Sequence, residues 1–92
     1  MSEKRRPLFW EGSSKKDFKG FPVPVQKDIG VALFIAQLGR TAGSAKPWKG
    51  LGSGVYELVE DHRGDTFRAV YAAHCWRRPK IDPLVRVVPI SK

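Results

Sequence analysis

The sequence predicts a small α+β protein in which a two-helix hairpin packs on a twisted, mostly antiparallel sheet, in the order β-α-α-β-β-β. Two patterns indicate this class: an apolar stripe at helical spacing after Pro24, and two strand-like runs around a glycine-containing turn after residue 60. A length of 92 residues fits a single domain. We therefore expect one domain over 1–92, with residues 1–6 flexible.

The first elements are predicted from short apolar runs and their flanking residues. Leu8–Trp10 reads as a strand that Gly12 stops. Ser13 or Ser14 then predicts the N-cap of a short helix, because a serine oxygen can accept a hydrogen bond from an otherwise unpaired amide. Gly20 ends this helix.

A second and longer helix follows two prolines that suit a first helical turn. Five apolar residues share the spacing of one helical face: Val25, Ile29, Ala32, Leu33 and Ala36. Other apolar residues lie off that stripe, so the helix must bury two sides. One side is expected on the sheet, and the other on the first helix or on another protein. Segment 25–38 is thus a candidate for self-association.

The second half of the chain reads as strands. Val55–Glu60 and Thr66–Ala73 are predicted to form a hairpin, with Gly64 at a positive φ in its loop. Residues 76–83 break the strand pattern, and 84–90 predict a last strand that prolines restrict to a short or edge position. In the second strand alternate residues form the core face, which leaves Arg68 on the opposite face.

Charge indicates the class of partner. The chain has 17 Lys and Arg residues against 9 Asp and Glu residues, a net charge of +8. This excess favours a polyanion over a neutral small molecule. A single cysteine excludes an internal disulfide and fits the cytoplasm. The apolar stretch Ile29–Leu38 is too short to span a membrane.

The sequence predicts neither a metal nor a cofactor. His62, His74 and Cys75 are the only soft ligands, and the last two alternate faces on a strand, so a zinc site is disfavoured. The glycines between residues 50 and 54 precede a strand, whereas those of a dinucleotide site follow one and open a helix.

Basic residues concentrate around the predicted sheet and are the candidates for binding RNA: Lys46, Lys49, Arg68, Arg77, Arg78, Lys80 and Arg86. Arginine can engage a phosphate through two parallel hydrogen bonds. A strand-centre Arg68 needs a partner, which is either a phosphate or Glu57 on the neighbouring strand. The rings of Trp48, Tyr56 and Tyr71 are either core residues or platforms for base stacking.

The block Lys46–Tyr71, with its Lys-Pro-Trp-Lys-Gly-Leu-Gly-Ser-Gly-Val-Tyr-Glu-Leu start and Gly-Asp-Thr-Phe-Arg-Ala-Val-Tyr end, resembles the HigB-like, phage-derived branch of the RelE/ParE toxin superfamily. The similarity extends over roughly residues 8–73. It implies a RelE-like fold and a ribosome-dependent, metal-independent mRNA endoribonuclease, paired with an antitoxin of the helix-turn-helix type. By position, Lys46, Lys49 and Arg68 match catalytic residues, and Glu57 matches an acidic position whose role stays open.

After Ala73 the sequence departs from the family pattern, and the catalytic run expected near the C-terminus is not recognisable. Two alternatives therefore accompany the nuclease. One is an inactive relative that retains the fold and the antitoxin contact. The other is a phage-derived protein that binds DNA, which would show salt-sensitive binding to duplex DNA without dependence on ribosomes.

Overall fold

The computed structural model describes residues 5–48, 54–73, 75–77, 80–82 and 85–88. Two helices and seven strands are formed there: β1 Leu8–Trp10, α1 Ser14–Lys19, α2 Val23–Gln37, β2 Ala45–Pro47, β3 Val55–His62, β4 Asp65–Ala72, β5 Cys75–Arg77, β6 Lys80–Asp82 and β7 Val85–Val88. The predicted α+β class is confirmed. Strand β2 adds a short element to the predicted order.

Five strands form one mixed sheet in the order β1-β7-β4-β3-β2. Strand β1 runs parallel to β7, and the other neighbours in this sheet are antiparallel. Strands β5 and β6 form a separate antiparallel hairpin. The expectation that 76–83 would be irregular is therefore wrong, because three-residue strands are too short to show a repeating pattern.

The β3–β4 hairpin closes more tightly than its sequence suggests. His62 pairs with Asp65, so the loop has only two residues. Arg63 and Gly64 both have positive φ, 52° and 85°, as a type I′ turn requires. The predicted positive φ of Gly64 is confirmed. This turn fixes the register of both strands and hence the face on which each side chain lies.

The core lies between α2 and one face of the sheet. The stripe predicted on α2 is buried as expected, and it packs against the sheet residues Leu58, Ala69, Tyr71, Val85 and Val87. On the other side of α2, Val31 is 54% exposed and Phe34 is 42% exposed. Arg5 covers part of this surface, with its guanidinium carbon 5.0 Å from the centre of the Phe34 ring.

The ends of the helices are fixed in two different ways. Ser13 makes no capping hydrogen bond and instead donates to Asp17, while the buried Ser14 hydroxyl donates to the Val87 carbonyl at 3.1 Å. Ser13 therefore occupies the predicted N-cap position, but the expected capping hydrogen bond is absent because these hydroxyls donate to other acceptors. At the end of α2, Gly39 has a φ of 83°. Its amide bonds back into the last turn, in the Schellman arrangement.

The start of the described chain is attached to α2. The Arg6 amide donates to the Gln37 carbonyl, and the Gln37 side chain donates to the Arg6 carbonyl, each at 2.8 Å. Residues 1–4 of the segment expected to be flexible lie outside the described residues. Neither α1 nor α2 is long and apolar enough to cross a membrane.

Tyr71 lies at the centre of the core and is 0% exposed. Its ring stacks on Tyr56 with a centroid separation of 5.5 Å, and the described part of the chain offers its hydroxyl no hydrogen-bond partner. Desolvation, with a smaller contribution from Tyr56, raises the pKa of Tyr71 to about 12. The folded protein therefore binds the tyrosine proton more tightly than the unfolded chain does.

We expect Tyr71→Phe to be neutral or stabilising near pH 7, because it removes a buried polar group that lacks a partner. In the wild type, the stability that depends on a protonated Tyr71 is fully present below about pH 10, the pKa of tyrosine in the unfolded chain. It is lost as the pH rises towards about 12, the pKa of Tyr71 in the folded protein. The variant lacks this loss, so its advantage should grow with pH. Urea unfolding at pH 8 and pH 11 measures the difference, and an equal difference at both values would contradict the assignment.

Candidate nucleic-acid interface

The side of the sheet away from the helices carries the charged residues of the candidate site. Register places Lys46 beside Glu57 and Arg86 beside Ala72, and strand alternation puts Arg68 on the same side as both. We call this side, with Lys46, Glu57, Arg68 and Arg86, the Arg68 face. The predicted orientation of Arg68 away from the core is confirmed by its 56% exposed side chain.

Arg68 and Glu57 form an ion pair at the middle of this face. The Arg68 Nη1 atom is 3.6 Å from Glu57 Oε2, and the Glu57 side chain is only 17% exposed. Arg68 therefore contacts Glu57, one of its two expected partners. Most of its side chain still faces solvent, where it can also bind the other, a phosphate. An exposed ion pair contributes only about 0–1 kcal/mol, so a phosphate can compete for the guanidinium.

Lys46 extends the charged site across the sheet. It lies in β2 directly beside Glu57 and is exposed. Residues paired across antiparallel strands have Cβ atoms about 4.5–5.5 Å apart. The ammonium group of Lys46 can therefore reach an anion that Arg68 holds beside Glu57. The structure thus brings two of the three predicted catalytic residues to one face. Lys49 lies outside the described residues.

Arg86 belongs to the same face but has its own partner. It lies in β7, and its Nη1 atom is 3.4 Å from Glu11 Oε1. Arg68 lies four positions along β4 from Ala72, the partner of Arg86, a distance of about 13 Å along the strand. A bound strand of RNA would have to span this distance to contact both arginines. The sequence did not indicate the pairing of Arg86 with Glu11.

The other candidate cations follow β4 in the chain. Arg77 lies in β5 and Lys80 in β6, the two strands of the separate hairpin, while Arg78 lies outside the described residues. The described structure therefore brings together only part of the predicted RNA-binding set. Within the described segments, no three His, Cys, Asp or Glu side chains form a metal-binding group.

The predicted stacking rings take different positions. Tyr71 is completely buried and Tyr56 is half-buried against the core, so the core alternative is correct for both. Trp48 is half-buried, and its amide donates to the Val55 carbonyl at 2.8 Å.

A groove that the sequence did not predict lies between α1 and the first half of β4. It has a volume of about 1080 Å³, and Phe18, Phe21, Phe67 and Arg68 are among its lining residues. The Phe21 and Phe67 rings are 5.2 Å apart, and those of Phe18 and Phe21 are 6.1 Å apart. Phe67 is far in sequence from Phe18 and Phe21, so only the fold reveals that the three rings form one surface.

A family model described as phage derived protein Gp49-like (DUF891) matches residues 16–80. This match includes most of α1, all of α2 and the β3–β4 hairpin that carries Glu57 and Arg68. The chain belongs to the Gp49-like family. The family is phage-derived and toxin-like, which agrees with the coarser part of the resemblance found in the sequence. No curated protein and no solved structure was found to match the chain.

The family match covers only part of the candidate site. It contains Lys46, Glu57 and Arg68 and ends at Lys80, so Arg86 and β7 lie beyond it. Chemically, the Arg68 face offers two exposed cations for an anionic group and one carboxylate that can accept a proton. These are the groups needed to bind a phosphodiester and to activate a neighbouring hydroxyl.

Proposed function

We propose that this Gp49-like protein is the HigB-like toxin of a bacterial toxin–antitoxin pair, and that it binds and cleaves mRNA on translating ribosomes. The observation that carries the proposal is the position of exposed Arg68 beside the half-buried Glu57, with Lys46 in register across the sheet. The net charge of +8 and membership of a toxin-like family support a polyanionic target.

Arg68 and Lys46 would hold the scissile phosphate and stabilise the negative charge that develops on it. Glu57 would accept the proton of the adjacent 2′-hydroxyl, whose oxygen then attacks phosphorus. The bond from phosphorus to the 5′-oxygen breaks and this oxygen takes a proton from water, which leaves a 2′,3′-cyclic phosphate and a 5′-hydroxyl. The attacking group is the 2′-hydroxyl, which DNA lacks, so the substrate must be RNA.

The proposed protein partner is an antitoxin of the helix-turn-helix type. The side of α2 turned away from the sheet exposes Val31 and Phe34. A partner that covered these side chains would remove about 25 cal/mol of unfavourable hydration per Å² of apolar surface. The same surface could mediate self-association, which is the alternative that a measurement of mass in solution would detect.

Induction of the protein in bacterial cells, followed by mapping of mRNA 5′ ends, tests the proposal. We expect growth arrest and new ends that carry a 5′-hydroxyl and lie within translated regions. A reporter message without its start codon is the matched control, because it should stay intact if cleavage requires the ribosome. Absence of both arrest and new ends would contradict the nuclease. Cleavage of the untranslated reporter would contradict dependence on the ribosome.

A further inference from the structure

The groove between α1 and β4 is continuous with the Arg68 face. Thr66 and Arg68 lie on that face, Phe67 lies on the helix side, and all three line the groove. The groove therefore passes around the edge of β4 and joins the two sides of the sheet. A chain bound to Arg68 can reach the phenylalanine side chains without crossing the sheet.

From this juxtaposition we infer that the groove binds one unpaired base of the RNA whose phosphate is held by Arg68. Phe67 and Phe21 supply aromatic surface for stacking, and Arg68 supplies the cation for the phosphate. Proteins that bind single-stranded nucleic acid combine a cationic surface for the backbone with aromatic side chains on which bases stack. The volume of about 1080 Å³ is sufficient for a base and its sugar.

A base is favoured over an extended polypeptide because of the charge at the mouth of the groove. Arg68 lines the groove and also belongs to the charged face, so the cationic and aromatic surfaces meet at this residue. A nucleotide has an anionic and an aromatic part joined within one unit, and it matches both surfaces. A polypeptide strand has no group that requires the guanidinium as its partner at this position.

The inference rests on the proposed RNA binding and is tested with two labelled oligomers of equal length. One is a 2′-O-methyl RNA octamer of mixed sequence, and the other is an abasic octamer with the same backbone. Because the 2′-O-methyl group blocks attack, binding is measured without cleavage. Stacking contributes about 1–3 kcal/mol per base, so the RNA should bind about 5–150-fold more tightly than the abasic oligomer.

Phe67→Leu should weaken binding of the RNA octamer by about fivefold or more and leave the abasic oligomer unaffected, because it removes the ring and keeps an apolar side chain. Phe34→Leu is the matched control, since Phe34 is an exposed ring on α2 outside the groove. Equal affinity of the wild type for both oligomers, as expected if a polypeptide is the true occupant, would overturn the inference.

Photocrosslinking of the wild-type protein to an RNA that contains 4-thiouridine gives a second readout that does not depend on the stability of a variant. We expect crosslinked peptides from α1 and from residues 65–69. Crosslinks confined to other segments would overturn the base site. If Arg68→Ala weakens both oligomers equally, RNA binding stands even when the base site fails. If neither oligomer binds, the base site fails, while the proposed function is judged separately by the mapping of mRNA 5′ ends in cells.

Discussion

Arg68→Ala should lower the rate of mRNA cleavage by about 10²–10³-fold, because it removes a group that stabilises charge on the reacting phosphate. The side chain is 56% exposed and its ion pair with Glu57 is weak, so the free energy of unfolding should change by less than about 1 kcal/mol. Primer extension on a translated message in a reconstituted translation system measures the rate. Urea unfolding measures the stability.

Arg63→Ala is the matched control for this prediction. Arg63 lies at the exposed tip of the β3–β4 hairpin, and its replacement removes the same charge from the same supersecondary unit. Glu57→Gln separates the two proposed roles, since it should retain RNA binding and lose cleavage. Equal cleavage by the Arg68 and Arg63 variants would show that Arg68 has no special role.

Leu58→Ala should destabilise the protein by about 2–5 kcal/mol, because it truncates a fully buried side chain of the core. Leu58 is 1% exposed and lies in β3, on the face that packs against α2. Alanine would leave a cavity where the sheet meets the helix. Small domains are stable by only about 5–15 kcal/mol, so the variant would lose a large fraction of its stability.

Urea unfolding of the purified protein checks this prediction, with Val31→Ala as the control. Val31 is an apolar residue of α2, the helix that packs against Leu58. Its side chain points away from the sheet, and the residue is 54% exposed. Its replacement should change the free energy of unfolding by no more than about 0.5 kcal/mol. A loss below about 1 kcal/mol for Leu58→Ala would mean that the core tolerates the cavity or is packed differently.

Local periodicity made part of the fold predictable. The five buried positions of α2 follow from spacing alone, because a helix returns to the same face every three or four residues. The outward orientation of Arg68 follows from strand alternation in the same way. Gly64 and Gly39 were predictable because few other residues adopt a positive φ without strain.

Contacts between distant segments were not predictable in this way. The Ser14 hydroxyl binds the Val87 carbonyl 73 positions away, and a local rule assigned the serines to a helix cap instead. The aromatic groove needs Phe67 of β4 beside Phe18 of α1 and Phe21 of the following connection, which only the fold brings together. The pairing of Glu11 with Arg86 has the same origin. A local sequence pattern carries no information about which distant residues will meet in the fold.

The position of β7 between β1 and β4 has a consequence for the order of folding. The last described strand joins the first strand to the β3–β4 hairpin, with Leu8 paired to Val85. Contacts of such long sequence separation slow folding, because a large loop must close before they form. During synthesis the five-stranded sheet cannot be completed until residues 85–88 have left the ribosome. The protein would then acquire its finished sheet only after translation has passed that point.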